Sequence, residues 1–141
     1  MSDIIVDSCV VAKWILCESD SAEAKSVLTS TMAQNGCVVV LDLAFAEVAN
    51  AIWKRFHRGL LTAQEADDFL SDLETLPVTV ETSRKWLGAA MAIAKQFDRS
   101  IYDALFVAAT RGLGYRGVTS DMPLHTATAA SYPEIVLLRD W

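Results

Sequence analysis

"DIIVDSCVVAKW", residues 3–14, decides how this 141-residue chain is read. Ile4-Ile5-Val6 reads as a short buried strand, because a compact run of branched apolar residues suits a sheet covered on both faces. Val10-Val11-Ala12 and Trp14-Ile15-Leu16 read as equally buried. Asp7 stands at the seam between them. A bare carboxylate there has two readings: a helix N-cap, or one member of a cluster that holds a metal.

Working outward, the same kind of strand recurs. Val38–Leu41, Val78–Val80, Gly117–Thr119 and Ile135–Leu138 are short and apolar. Helical patterns lie between them. Ser21 can cap a helix to about Thr31. Leu43 to Arg58 has a helical repeat, with Gly59 suited to the position just past its end. Thr62-Ala63-Gln64-Glu65 fits a capping box. Behind it Ala66, Phe69, Leu70, Leu73 and Leu76 form one apolar stripe before Pro77. Thr82 can cap a helix through Phe97, and Tyr102–Arg111 makes another, closed by Gly112. Strands alternating with helices predict an α/β fold with a short, mainly parallel sheet. Leu43–Arg58 and Thr62–Leu76, two helices in succession, predict an inserted hairpin.

The composition, 52% hydrophobic and 21% charged, suits a chain with a substantial core and argues against disorder. Trp86–Ala94, the longest nearly uninterrupted apolar stretch, is far shorter than the roughly 20 residues of a membrane span, so no membrane partner is expected. Met1-Ser2-Asp3 leads straight into a strand without a basic leader. Cys9, Cys17 and Cys37 are odd in number and lack C-x-x-C spacing. Both features predict reduced thiols in a cytoplasmic protein. No group of His and Cys has zinc spacing.

The formal net charge is −6, and Glu65, Asp67, Asp68, Asp72, Glu74 and Glu81 form an acidic window without Lys or Arg. Lys54, Arg55, His57 and Arg58 come just before it. The window reads as a solvated helix face. The stripe behind it can pack on its own domain or serve as a subunit contact; both readings stay open.

Ligands of open α/β sheets bind outside the carboxyl ends of the strands, so the acids at those places are the candidates. Asp7 follows the first strand and Asp121 follows "GVTS". Asp103 lies in the first turn of "IYDALFVAAT". Glu47 lies early in the helix "LDLAFAEVANAIWK". Apolar neighbours around Glu47 and Asp103 predict partial burial. Two carboxylates about 4 Å apart repel by roughly 4 kcal/mol at an effective dielectric near 20, and divalent cations such as Mg²⁺ or Mn²⁺ relieve such crowding. That chemistry points to phosphodiester hydrolysis. Asn50 and Lys54 share a helix face with Glu47, and Thr119 shares a strand face with Asp121. These residues are candidates for contacts with the acids or the substrate.

"IIVDSCVVAKW", "EVANAIWK", "IYDALFVAAT" and "VTSDMPL" together resemble the motifs of PIN-domain proteins, and most of all the VapC-type toxins of toxin–antitoxin pairs. The likeness runs from about residue 3 to residue 138. It implies one PIN-like nuclease domain over residues 1–141, built as a three-layer α/β/α sandwich. It implies a Mg²⁺- or Mn²⁺-dependent endoribonuclease with Asp7, Glu47, Asp103 and Asp121 as catalytic and metal-binding residues, and Asn50 and Thr119 match positions near that site; Lys54 and Ser8 are further candidates for contacts with the acids or the substrate. The implied partners are RNA, a cognate antitoxin and a second copy of the chain, the last two meeting the region Leu43–Leu76. One departure concerns Cys9, where the family commonly has Ser, Thr or Asn. A thiol is a weak hydrogen-bonding group, so packing in place of bonding is an alternative there.

Rival readings fare worse. A haloacid-dehalogenase-like phosphatase needs D-x-D after the first strand, and Asp7-Ser8-Cys9 does not supply it. A signalling receiver needs an aspartate after the third strand, where Val80-Glu81 stands. A non-catalytic PIN-like module that binds RNA or protein is the remaining alternative.

Overall fold

The computed structural model describes residues 3–141; the expectation about a leader at Met1-Ser2 lies outside the described residues. Five parallel strands form one sheet: β1 (Ile4–Val6), β2 (Val38–Leu41), β3 (Thr79–Glu81), β4 (Arg116–Thr119) and β5 (Ile135–Leu137), in the order β3-β2-β1-β4-β5. Ile5 aligns with Val39 on one side and Gly117 on the other, and Val6 with Val40 and Val118. The order reverses direction at β1 and β4, which makes the gap beyond their carboxyl ends the natural ligand crevice.

Helices cover both faces, as predicted for a three-layer sandwich. Alternate residues of each strand point to opposite faces. Ile4, Val6, Val38 and Val40 pack with α1 (Ser8–Ile15), α2 (Ser21–Ala33), α3 (Asp42–His57) and α4 (Ala63–Glu74). Ile5, Val39, Leu41 and Ile135 pack with α5 (Leu87–Phe97), α6 (Ile101–Leu113) and α7 (Met122–Thr128). Each such side chain, fully buried, contributes roughly 1.5–3 kcal/mol. The hairpin α3–α4 is inserted between β2 and β3. No helix of the described residues is long and apolar enough to cross a membrane.

Several local expectations hold in detail. Thr62 Oγ1 accepts from the Glu65 N–H at 3.0 Å while Glu65 Oε1 accepts from the Thr62 N–H at 2.9 Å, which closes the capping box. Gly59 follows α3 with φ of +75°, a conformation that suits its missing side chain.

Others differ. The run after Asp7 is itself a helix, α1, whose N-cap is Asp7. A further short helix, α7, follows Asp121. Asp20, not Ser21, precedes α2; the Ser21 hydroxyl instead accepts from the Glu18 N–H and donates to the Leu16 carbonyl, tying the preceding turn. Thr82 caps nothing, because a 3-10 turn, Arg84–Trp86, intervenes before α5. Gly114, with φ of +72°, ends α6 two residues beyond Gly112. Gly112 serves a different purpose: a Cβ there would stand 2.1 Å from the Trp86 ring. Strand β3 lies at the sheet edge with Thr79 and Val80 exposed, so it is not covered on both faces. Within the stripe on α4, Leu73 is buried in the chain's own core, with Ala66, Phe69 and Leu76 partly buried against it and Leu70 exposed. Own-domain packing therefore accounts for most of that stripe.

Candidate active site

Asp7 leaves β1 with its N–H bonded to the Val118 carbonyl of β4 at 2.9 Å, so the adjoining strand fixes its position. The two oxygens of its carboxylate have different partners. Oδ1 caps α1 by accepting from the Ser8 N–H at 2.9 Å. Oδ2 faces β4, where the Thr119 hydroxyl donates to it at 2.8 Å. Thr119 is fully buried, and its oxygen also accepts from the Asp121 N–H at 3.1 Å. One hydroxyl thus joins the acids that end β1 and β4.

Cys9 bonds as well as packs, and the packing alternative is corrected here. Its Sγ lies 3.5 Å from Asp7 Oδ2 and 3.5 Å from Thr119 Oγ1, and accepts from the Ser120 N–H at 3.3 Å. Burial pushes the thiol up to about 12, with the Asp7 charge acting in the same direction. A thiol held protonated is a donor, so Cys9 keeps the linking function of a hydroxyl residue in weaker form.

The other acids come from helix starts. Asp121 caps α7, with Oδ1 accepting from the Leu124 N–H at 3.0 Å. Asp103 sits one turn into α6, and its N–H is held by the cap Ser100 at 3.1 Å. Glu47 projects from the second turn of α3. It is exposed, contrary to the burial expected from its apolar neighbours, because Ala46, Glu47 and Asn50 lie on the outward side of that helix.

Electrostatics tie the set together. Burial raises Asp7 from its ordinary 3.8 to about 6, opposed by the bonds from Thr119 and Ser8 and assisted by the Asp103 charge. Glu47 is raised by desolvation of its carboxyl against the neighbouring cleft, by Asp7 and by Asp103; the Ser8 hydroxyl acts the other way. Asp103 is raised by partial burial and by Asp121, while Arg99 lowers it. Each of the four acids therefore lies within electrostatic reach of at least one other. Ser8 adjoins both Asp7 and Glu47, as its candidacy requires. Asn50 and Lys54 are exposed farther along α3, and among the described residues no hydrogen bond or ion pair joins either to the acids.

Two openings meet at Glu47. A small recess is lined by Asp7, Ser8, Glu47, Tyr102 and Phe106, and a cavity of about 200 Å³ between α1 and α3 by Ser8, Cys9, Ala12, Glu47, Val48 and Ala51. Lys13 of α1 pairs with Glu18 and Asp20 at 2.7 and 2.9 Å. Tyr102 and Arg99 were not singled out in the sequence; their proximity to Asp103 in the chain was the available signal. The oxygen-only, mutually repelling donor set suits a hard divalent cation. Among the described residues no three His, Cys, Asp or Glu side chains form a ready-made cation site. Magnesium needs none, since it is usually held by one or two carboxylates and keeps several waters.

The chain and its fold have known counterparts. The sequence profile of the PIN domain matches residues 4–129. The chain belongs to the PIN-domain family. It is similar to the ribonuclease VapC3 of Pyrobaculum aerophilum, with 30% identity over 135 residues, covering 94% of this chain and 97% of that protein. Its fold is similar to that of VapC20 of Mycobacterium tuberculosis, described as a sarcin-ricin loop cleaving toxin. The TM-score is 0.68 at 19% identity, and the match covers 94% of this chain and 98% of that one. A toxin–antitoxin complex from Klebsiella pneumoniae gives a TM-score of 0.64 at 15% identity, over 96% of this chain and 98% of that one.

Proposed function

We propose that this chain is the endoribonuclease toxin of a toxin–antitoxin pair and hydrolyses RNA phosphodiester bonds with Mg²⁺ or Mn²⁺. The observation that carries the reading is the set of four electrostatically linked acids, from four separate segments, at the carboxyl ends of β1 and β4 in a PIN-domain chain. The similarity to a ribonuclease supports RNA as the substrate.

Asp7, Glu47, Asp103 and Asp121 would hold the cation. When bound, the ion supplies positive charge that offsets the carboxylates, polarises the phosphodiester and lowers the pKa of water. The chain's own residues position the donors. Thr119 holds Asp7 Oδ2 and the Asp121 N–H from one oxygen. Ser8 fixes Asp7 Oδ1 through its backbone and moderates Glu47 through its hydroxyl. Ser100 and the start of α6 hold Asp103 in position. The raised carboxyls of Asp7, Glu47 and Asp103 record repulsion and desolvation that a cation would relieve.

The purified protein should cut a cellular RNA pool with Mg²⁺ or Mn²⁺ and not with EDTA, and Asp103→Asn should abolish the cuts while keeping the fold. RNA binding without cleavage in antitoxin-free protein would favour the non-catalytic module. The partners follow from the same reading: a cognate antitoxin, and a second copy of the chain across the outer side of α3–α4. Trp53, Phe56 and Leu70 line a cavity of about 300 Å³ there and are all exposed. Light scattering that finds a monomer at high concentration would remove the dimer from the proposal.

A further inference from the structure

Tyr102 is 58% exposed, more than any other aromatic side chain of the described residues. The remaining exposed aromatics have partners or line the helix hairpin. Trp53 stacks on His57, Trp141 lies over Arg116, and Phe56 lines the groove between α3 and α4. Among the described residues Tyr102 has no ring, cation or hydrogen-bond partner, and it belongs to neither core cluster. Packing does not explain its ring.

Its place is specific. Tyr102 precedes Asp103 in the first turn of α6 and lines the same recess as Asp7, Ser8 and Glu47. The acids around that recess repel a phosphate chain until a cation neutralises them, so some of the hold on a substrate must come from uncharged contacts. Proteins that bind single-stranded RNA obtain such contacts by stacking unpaired bases on aromatic rings, which works for any base because each has a π-face.

We propose that Tyr102 is the stacking platform for an unpaired nucleobase beside the scissile phosphate, making it a determinant of substrate binding at the acid cluster. This rests on the ribonuclease reading and narrows its substrate to RNA with an unpaired base at the cut. The ring, not the hydroxyl, carries the function.

Two measurements test it. In the first, a short single-stranded RNA carrying 2-aminopurine at alternate positions is titrated into protein made inactive by Asp103→Asn. Quenching is expected with the native ring and with Tyr102→Phe, and its loss with Tyr102→Leu. In the second, cleavage kinetics are measured with Asp103 intact. Tyr102→Leu should raise KM roughly ten- to a hundred-fold, the scale of one lost base–aromatic stack, with kcat little changed, and Tyr102→Phe should restore KM. Unchanged quenching and KM in Tyr102→Leu would overturn the proposal, as would absence of quenching with the native ring. A fall in kcat alone would overturn it too, by making Tyr102 a support for Asp103. If the native protein cuts RNA and Tyr102→Leu is indifferent, the stacking proposal fails and the ribonuclease reading stands. If native protein quenches but never cuts, the ribonuclease reading fails and the base platform stands.

Discussion

Helix α4 and the strand ends both carry dense acid, in two placements. On α4, Asp67, Asp68, Asp72 and Glu74 are exposed, and the acids that bond do so locally: Glu65 closes the capping box and Asp68 accepts from Gln64 one turn away. At the strand ends Asp7, Glu47, Asp103 and Asp121 are scattered through the sequence, yet each lies within electrostatic reach of another. Three of them are pushed up by desolvation and by one or more of the others. The acids crowded in sequence are therefore solvated singly, and those dispersed in sequence act on one another. Solvent screens the first group. Partial burial weakens that screening for Asp7, Asp103 and Asp121, the environment in which the proposed cation site would form.

The widest separation between the groups should appear in cleavage. Asp7→Asn and Asp103→Asn should each lower RNA hydrolysis by roughly a hundred-fold or more, the scale of losing one group from such a site. Asp67→Asn and Asp68→Asn should leave it within about twofold. Rates from one purified set, with circular dichroism to check the fold, decide this. A loss at Asp68 equal to that at Asp103 would end the distinction.

Stability of the metal-free protein should separate the groups in the opposite direction. The folded state raises Asp7 from 3.8 to about 6. Between these values the folded chain holds a proton that the unfolded chain has lost. Stability is then present in full below about pH 4 and is lost as pH rises through about 6. Two units correspond to about 3 kcal/mol. Asp7→Asn should therefore stabilise the metal-free protein at pH 7 by up to that amount and flatten its stability between pH 4 and 7, whereas Asp68→Asn should change little. Urea unfolding at several pH values measures this, and saturating Mn²⁺ should narrow the gap between native protein and Asp7→Asn. A native protein more stable at pH 7 than at pH 5 would show that other groups outweigh Asp7.

Thr119 sharpens the comparison, since it is the buried hydroxyl that makes the strand-end group a unit. Thr119→Val should destabilise the fold by about 1–3 kcal/mol, because the Asp121 N–H loses its acceptor and Asp7 a donor. It should also push Asp7 higher still, because the bond from Thr119 lowers it. Thr119→Ser keeps the hydroxyl and should recover most of both. Denaturation midpoints and the pH dependence of stability report the two effects separately.

What the sequence made legible follows the same division between local and distant causes. The acids after β1 and β4 were readable because an apolar strand announces its own end. The capping box and Gly59 were readable because the whole motif lies within one turn. Gly112 reads as a helix end, but its real constraint, the Trp86 ring packed against α6, comes from a residue 26 positions away. Cys9 was open between packing and bonding because Thr119 and Ser120, its partners, lie more than 100 residues off. Helix α1 has only eight residues, nearly all apolar, too few for a period to stand out. Tyr102 carries no local mark beyond its place next to Asp103; the recess beside Asp7 is what sets it apart from an ordinary exposed aromatic.

The smallest effect belongs to Glu65, an exposed acid that helps to cap its own helix. Thr62 and Glu65 satisfy each other's backbone N–H groups at the start of α4. Thr62→Ala removes the acceptor for the Glu65 N–H, a change that typically lowers stability by about 1 kcal/mol. The loss should fall on the hairpin, seen as faster amide exchange in the first turn of α4. Exchange at Asp7 and Thr119 should stay as it was, because Leu73, farther along α4, still anchors the helix in the core. Cleavage should also be unchanged. A slower reaction in Thr62→Ala would mean that the hairpin bearing Glu47 transmits its order to the acid cluster, and the acids of α4 and those of the strand ends would then be coupled through α3.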